Sequence, residues 1–244
     1  MKMKMRLDRF LANLGIGSRR EVVSLIKKGK VTINGQKVTA TDFKVDPEKD
    51  LIQVEGVYVQ VKPQGFYYKF YKPKGCITSK ADKDLTVMEF LPKDLPGLNR
   101  IFPVGRLDKD TEGLLIFTDD GLLAHRILHP KWKLSKTYQV LIDKEITEES
   151  LKKIEEGVNL SDGKTLPCKV FCLDKTRKFL QIEVIEGRYH LIKRMFGRLG
   201  YKVVGLKRTA IGPIELGDLK PSEIVPLSFE EIQSLKKALG LLTG

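Results

Sequence analysis

Cysteine, tryptophan and histidine are scarce in this chain of 244 residues, which contains three cysteines, one tryptophan and three histidines. Cys76, Cys168 and Cys172 are odd in number and lack C-x-x-C spacing, which fits a reducing compartment better than a disulfide framework. We therefore predict buried, reduced thiols. His125 and His129 have the spacing of a helical metal pair, but no third ligand accompanies them. We therefore expect no metal site.

Long apolar runs are also lacking. No run approaches the ~20 residues that span a bilayer, and the start MKMKMRLDRF has no apolar centre of the kind found in secretory signals. There is no internal repeat and no glycine-rich phosphate loop. We expect a soluble, cytoplasmic protein without a membrane partner, long enough for one large domain or two smaller ones.

Acidic side chains are outnumbered, since 44 Lys and Arg face 31 Asp and Glu, for a net charge of +13. The excess lies in two clusters. Residues 1–30 contain nine basic and two acidic side chains, and residues 187–208 contain seven basic and no acidic ones. Two clusters of one sign predict a polyanionic partner such as nucleic acid.

The first 62 residues predict a small domain of two helices and two hairpins. One helix is expected from about Arg6 to Leu14, and a second follows a capping box formed by Ser18 and Glu21 and stops at Gly29. KVTINGQKV alternates around a two-residue Asn-Gly turn, and DLIQVEGVYVQV predicts another strand pair. KPQG then has the composition of a linker.

Residues 63–244 predict a larger domain in which strands dominate. The candidate strands are YYKFYKP, GLLIFT, KTYQVLI, PCKVFCL, FLQIEVIEG and YKVVGLKR, and helices are expected near 121–128, 147–157, 189–199 and 229–239. Consecutive strands without regular βα alternation favour an α+β fold with a mixed, mainly antiparallel sheet.

One stretch of this domain, GRLDKDTEGLLIFTDDG, is rich in acids. Its apolar centre predicts a buried strand, Asp119 or Asp120 suits the N-cap of the following helix, and Asp110 and Glu112 are expected in a loop. Asp108 alone would be interpreted as a turn residue that caps backbone amides.

Four motifs in order change that interpretation. GRLDKDTEGLLIFTDDG, YKPKGCITS, SKTYQV and EGRYHLIKRMF resemble the motif set of the RNA pseudouridine synthases, in the branch of ribosomal small subunit pseudouridine synthase A. RLDRFL, SRREV and KVTINGQKV resemble the alpha-L RNA-binding domain of a small-subunit ribosomal protein. The resemblance covers nearly the whole chain.

The resemblance implies isomerisation of a uridine in ribosomal RNA to pseudouridine by a flipped-base mechanism without a cofactor. Asp108 matches the essential aspartate, which either attacks the sugar or removes a sugar proton. Tyr138 matches the tyrosine that lies against the uracil ring. Lys193 matches the cation paired with the aspartate, with Arg194 as the alternative, and the family commonly has Gln where this chain has Leu191.

Arg106 matches the residue that displaces the target base. It is expected in a strand, on the face of Asp108, with a structural ion pair as the alternative. The further residues expected to contact RNA are Lys72, Lys136, Arg188, His190, Arg194, Arg6, Arg19, Arg20, Lys27 and Lys28. The expected partner of this monomeric protein, which would act in ribosome biogenesis, is small-subunit (16S) rRNA or an assembling particle.

Three other functions compete with this interpretation. The protein could modify large-subunit rRNA, or it could be a non-catalytic ribosome-associated RNA-binding protein. A third alternative is a metal-dependent nuclease that uses Asp108, Asp110, Asp119 and Asp120. An extended strand would separate the two acid pairs by about 30 Å, so they cannot share one ion unless the chain folds back.

Overall fold

The computed structural model describes residues 5–13, 16–46, 50–59 and 65–241. The chain divides into two compact units, Met1–Gly65 and Phe66–Gly244. The predicted domain boundary at residues 62 and 63 and most of the predicted KPQG linker lie outside the described residues. Within the described ranges, no helix combines the length and apolarity that a membrane span needs.

The N-terminal unit contains two helices and short antiparallel strands. Its elements in chain order are β1 (Met5–Arg6), α1 (Leu7–Asn13), α2 (Arg19–Lys27), β2 (Val31–Ile33), β3 (Gln36–Lys37), β4 (Lys44–Val45), β5 (Ile52–Val54) and β6 (Val57–Tyr58). β1 pairs with β4, and the other strands form a sheet in the order β3-β2-β5-β6. The helices and this sheet enclose a core that includes Leu7, Leu11, Val22, Ile26 and Val31.

Local signals in the sequence account for most of this unit. The backbone N–H of Ser18 donates to the Glu21 carboxylate at 2.6 Å, and the Glu21 N–H donates to the Ser18 hydroxyl, so the predicted capping box is present. Asn34 and Gly35 both have positive φ and form the two-residue turn that was predicted between β2 and β3. Arg6 lies in β1 rather than in α1, and Leu14 is outside the described residues.

The C-terminal unit has the predicted α+β architecture. Its elements are β7 (Tyr67–Lys72), β8 (Phe102–Val104), β9 (Glu112–Thr118), α3 (Gly121–Leu128), β10 (Lys136–Ile142), α4 (Glu148–Glu156), β11 (Asn159–Leu160), β12 (Gly163–Lys164), β13 (Lys169–Cys172), β14 (Phe179–Val184), α5 (Leu191–Arg198), β15 (Val203–Ile211), β16 (Ile214–Glu215), β17 (Ile224–Pro226) and α6 (Phe229–Ala238). The four predicted helices and the six candidate strands named above are all present, whereas the strand expected at Arg106 is not. The strands that were not predicted, β8, β11, β12, β16 and β17, have only two or three residues each.

One mixed sheet organises this unit. Nine strands belong to it in the described residues, in the order β13-β14-β10-β15-β9-β7-β17, with β16 beside β15 and β8 beside β9. All pairings are antiparallel except that of β9 with β15. The parallel pair therefore joins two antiparallel halves.

The two halves have separate hydrophobic cores. One cluster packs β7 and β9 against α3 and α6, and includes Leu114, Ile116, Leu123 and Leu235. Another packs β10 and β14 against α4 and α5, and includes Val140, Ile154, Ile182, Met195 and Phe196. The alternating burial of β14 and the apolar stripe of α5 follow from their period-2 and period-3.6 patterns.

A glycine permits the close approach of the two halves. Gly113 has φ of +108°, and a Cβ atom at this position would lie 2.2 Å from the carbonyl oxygen of Arg208. Gly113 is the residue of β9 that faces Arg208 of β15 in the parallel pair. Only glycine fits a position with both this backbone conformation and this contact.

Candidate active site

A cavity of about 160 Å³ lies in the C-terminal unit where the two halves of the sheet meet. Residues from β10, β15, α5 and the loops after β8 and β14 line it. The predicted site residues that line it are Arg106, Asp108, Lys136, Tyr138, Arg188, His190 and Lys193. The fold thus brings together most of the side chains that the motifs indicated.

Asp108 lies between two potential cations in the loop that connects β8 to β9. Its Oδ1 is 3.2 Å from Nε2 of His190, and its Oδ2 is 3.2 Å from Nζ of Lys193. The carboxylate remains partly accessible, with 29% of the side chain exposed. His190 has positive φ just before α5 and stacks on the exposed ring of Tyr189 at 3.7 Å. α5 consequently begins at Leu191, whereas the predicted helix began at Tyr189.

Lys193 joins Asp108 to a second acid. Its Nζ lies 2.6 Å from Oδ1 of Asp110. Burial opposes the charge on Lys193, but the hydrogen bonds to Asp110 and Asp108 raise the pKa of its ammonium group. The hydrogen bond from Lys193 in turn lowers the pKa of Asp110. The lysine is therefore a permanent cation at neutral pH.

Arg194, the alternative partner, points elsewhere. Its guanidinium binds the Asp162 carboxylate and donates to the Tyr189 carbonyl at 3.1 Å. Arg188 binds the same aspartate at 3.0 Å and also pairs with Glu186. Both arginines form ion pairs with Asp162, in the loop between β11 and β12. Their contacts with RNA stay a prediction.

Tyr138 projects from β10 and is half-buried in the cavity wall. Its residue partner on β15 is Arg208, whose guanidinium carbon is 6.0 Å from the centre of the tyrosine ring. Arg208 is only 3% exposed and lines the same cavity. Sequence reasoning missed this arginine as a site residue, although period-2 alternation places it on the same face as buried Leu206.

Arg106 differs from its prediction in one respect. Residues 105–108 form a loop after β8 and not a strand. Exposure still alternates, because Arg106 is exposed, Leu107 is buried and Asp108 lines the cavity. In the described part of the chain no hydrogen bond or ion pair holds the Arg106 side chain, so the alternative of a structural ion pair is not found there.

Lys72 corrects a prediction. It is fully buried, and its ammonium donates to the carbonyl oxygens of Pro73, Asp108 and Thr111 at 2.9–3.1 Å. Burial lowers the pKa of this lysine. With its donors directed to the backbone, Lys72 cannot contact RNA as predicted, and it instead fixes the loop that carries Asp108.

The remaining acids of this stretch have structural partners. Asp120 caps α3 by accepting from the N–H groups of Leu122 and Leu123, as predicted for one of the two aspartates. Asp119 accepts from the Phe66 N–H at 2.8 Å and pairs with Arg100. Glu112 begins β9 rather than lying in a loop, and it accepts from the hydroxyl of Tyr71 at 2.7 Å.

The predicted RNA-binding cations of the N-terminal unit fall into two groups. Arg19, Arg20, Lys27 and Lys28 lie on or next to α2, are exposed, and have no side-chain partner among the described residues. Arg6 differs, because its guanidinium donates two hydrogen bonds to the Asp8 carboxylate at 3.1 and 2.8 Å. Its charge is therefore largely compensated.

Histidines and cysteines form no metal centre in the described ranges. The rings of His125 and His129 lie 5.2 Å apart, and Nδ1 of His129 accepts from the backbone of Lys131. Cys76, Cys168 and Cys172 are free thiols.

Comparison with known proteins relates this fold and site to one enzyme family. The RNA pseudouridylate synthase family matches residues 67–198, and the S4 domain matches residues 5–52. A protein of Aquifex aeolicus (strain VF5), named as an uncharacterized RNA pseudouridine synthase, is 41% identical over 98% of this chain and 96% of its own. The ribosomal large subunit pseudouridine synthase B of Bacillus subtilis (strain 168) is 37% identical over 95% of each chain. A crystal structure of a pseudouridylate synthase, 36% identical, covers 95% of this chain and 99% of its own with a TM-score of 0.68.

The fold and these matches define an RNA-modifying isomerase with a separate RNA-binding domain. The chain belongs to the RNA pseudouridine synthase family, with an N-terminal S4 domain. Its reaction is the isomerisation of uridine to pseudouridine within RNA.

Proposed function

We propose that this enzyme acts on a uridine of ribosomal RNA and that Asp108 is the group that reacts at the sugar. The observation that supports the role of Asp108 is its position in the cavity, where Lys193 and His190 contact its two oxygens and Tyr138 lines the same space. A nucleophile or a general base must reach the sugar directly, and Asp108 lines the space in which the target nucleotide would lie.

The proposed chemistry assigns a task to each neighbour of Asp108. The target nucleotide leaves the base stack and enters the cavity, and Asp108 attacks carbon 1 of the sugar or removes a sugar proton. Lys193 keeps the carboxylate in place through the reaction. The Tyr138 ring retains the detached base by stacking while the base turns. Arg106, which is exposed and lines the same cavity, is proposed to enter the gap that the displaced base leaves.

The N-terminal unit is proposed to hold the RNA and not to take part in the chemistry. Arg19, Arg20, Lys27 and Lys28 present four exposed cations along or next to one short helix. Cations of this kind neutralise phosphates and set affinity and register. This role extends the S4 assignment to particular side chains.

The rRNA subunit has two candidates. The GRYH…KRMF form of the fourth motif supports the small-subunit prediction. The name of the Bacillus subtilis relative, which is similar to nearly the whole chain, supports the large subunit instead. Both candidates use the same site, and they differ only in the RNA that presents the uridine.

The test is a map of pseudouridines in both rRNAs of the source organism with and without the gene. Loss of a 16S site would support the small-subunit proposal, and loss of a 23S site would support the second candidate. If neither rRNA lost a pseudouridine and the purified enzyme released no tritium from C5-labelled rRNA, the proposal would be wrong.

A further inference from the structure

Two cations next to Tyr138 line the cavity without an acidic partner in the described residues. Lys136 donates only to the carbonyl oxygen of Leu134, at 3.1 Å. Arg208 donates from Nε to the carbonyl oxygen of Leu114 at 2.8 Å, and its buried Nη2 finds no partner in the described structure. Both side chains therefore have donor capacity left over inside a partly enclosed space.

The acids that line the cavity do not neutralise this pair. Asp108 is engaged by His190 and Lys193, as described above. Glu186 pairs with Arg188 and accepts from the backbone N–H of Leu166. Burial, assisted by the charge of Arg208, lowers the pKa of Lys136 to about 8. Two like charges with little solvent are unfavourable, and a bound anion would relieve the repulsion.

The strands place both cations on the side of the sheet that carries Tyr138. Lys136 and Tyr138 are two residues apart on β10 and so point to the same side. Arg208 is opposite Tyr138 on β15, with its guanidinium 6.0 Å from the ring centre. A planar ligand stacked on Tyr138 would have its edge within reach of both side chains.

The proposed reaction generates such a ligand. When the bond between uracil N1 and sugar carbon 1 breaks, the electron pair stays with the base, and the charge spreads over N1 and the carbonyl oxygens O2 and O4. The base then turns, and C5 bonds to the sugar carbon. In this step Asp108 either leaves the sugar carbon that it attacked or returns the sugar proton that it removed. C5 then loses its proton, and N1 gains one. Substrate and product are isomers, so no co-reactant is consumed.

We propose that Lys136 and Arg208 form a subsite for the detached uracil anion. They donate hydrogen bonds to its carbonyl oxygens and hold its charge while it lies on Tyr138. This assignment rests on the proposed function, because the anion exists only if the glycosidic bond breaks in this cavity. Such contacts are stronger in the transition state than with the neutral uridine, so they accelerate chemistry more than they tighten RNA binding.

The experiment measures single-turnover pseudouridine formation and RNA affinity for Lys136→Met and Lys136→Arg. The methionine variant should react about 10- to 100-fold more slowly, the worth of one charge-assisted hydrogen bond. Its RNA dissociation constant should change by less than about twofold, since the same phosphates stay neutralised. Arginine should restore most of the rate. Lys169→Met is the matched control, because Lys169 is exposed, pairs with Glu183 and lies outside the cavity.

Arg208→Lys supplies a second test, because it retains a cation but loses the forked donors. It should slow the chemical step without weakening RNA binding. An unchanged rate in Lys136→Met, an equal loss of rate and affinity, or no rescue by arginine would each overturn the subsite. The proposed function is tested separately. It stands if the wild-type enzyme forms pseudouridine and the Asp108→Asn variant does not, even when the Lys136 and Arg208 variants contradict the subsite.

Discussion

The ammonium of Lys193 lies 3.2 Å from Oδ2 of Asp108, and the same group contacts Asp110 at 2.6 Å. One lysine on α5 therefore links two acids of a loop about 83 positions earlier in the chain. Arg194, its neighbour on the helix, is bound to Asp162. Lys193 therefore carries the charge that acts on the proposed reaction, and Arg194 carries a charge that stabilises the fold.

Replacing Lys193 should slow the reaction. Lys193→Met removes the counter-charge of Asp108, and we expect turnover to fall by about 10- to 100-fold. Lys193→Arg should retain much of the rate. Arg194→Met should leave turnover nearly unchanged and lower the free energy of unfolding only slightly, since its ion pair with Asp162 is partly exposed. Turnover assays and urea unfolding of the three variants measure both effects, and the opposite ranking would assign the role to Arg194.

Asp108→Asn should abolish chemistry while leaving the RNA bound. The amide keeps the shape but is neither a nucleophile nor a base, so turnover should fall on the order of 1000-fold or more. Affinity should be unchanged or higher, because a negative charge near phosphate is removed. The measurement is tritium release from C5-labelled rRNA beside filter binding. Asp110→Asn is the control: Asp110 is exposed, and its variant should stay active. Rapid tritium release by Asp108→Asn would exclude the mechanism.

The pH dependence of the chemical step should report Lys136. Burial and Arg208 lower the pKa of Lys136 to about 8, so it is cationic below pH 8 and neutral above. If the cation is required, the rate should fall as pH rises through about 8, and Lys136→Arg should move this fall to higher pH. The other charged groups around the same cavity are Arg106, Asp108, Glu186, Arg188, His190 and Lys193. If the rates of the wild type and of Lys136→Arg fell at the same alkaline pH, the fall would be assigned to one of these groups or to RNA.

Gly113 should resist substitution. In Gly113→Ala the new methyl would meet the Arg208 backbone at 2.2 Å and strain a residue with φ of +108°. We expect a loss of about 2 kcal/mol or more in the free energy of unfolding. Gly197→Ala is the control, because Gly197 is helical and its Cβ would meet no atom within 4 Å. It should be neutral or stabilising by about 0.5–1 kcal/mol. Similar urea midpoints for the two variants would contradict the close contact between Gly113 and the Arg208 backbone.

Charge removal from the S4 domain should change the salt dependence of RNA binding. A variant with alanine at Arg19, Arg20, Lys27 and Lys28 should bind rRNA more weakly. Its slope of log affinity against log salt should be smaller by about 0.7–0.9 for each phosphate that is no longer neutralised. Arg6→Ala should have a smaller effect, since Asp8 already compensates Arg6. Titrations at several salt concentrations would reject the assignment if all slopes matched that of the wild type.

Much of the fold was predictable because its signals are local. The capping box at Ser18, the Asn34-Gly35 turn and the Asp120 cap each depend on residues only a few positions apart. The larger strands and helices of the C-terminal unit follow from hydrophobic periodicity. Strands of two or three residues were missed because they are too short to establish a period.

The site was less predictable because it depends on tertiary contacts. Motifs identified Asp108, Tyr138 and Lys193 as site residues, but they could not distinguish Lys193 from Arg194, since side-chain direction depends on packing. Lys72 resembles a surface cation in sequence, yet the fold directs it to three carbonyl groups of the Asp108 loop. Arg208 looked like part of a basic cluster and proved to be buried in the cavity wall.

The parallel pairing of β9 with β15 joins parts of the chain that are far apart in sequence. Asp108 belongs to the loop before β9, whereas Tyr138, Lys193 and Arg208 belong to the other half of the sheet. The hydrogen bond from Arg208 to Leu114 joins positions 94 residues apart, and closing so long a loop is slow compared with forming hairpins. The cavity is complete only when the two halves have met, because both contribute residues to its lining. A chain still emerging during synthesis has no reactive pocket to offer RNA until β15 has docked.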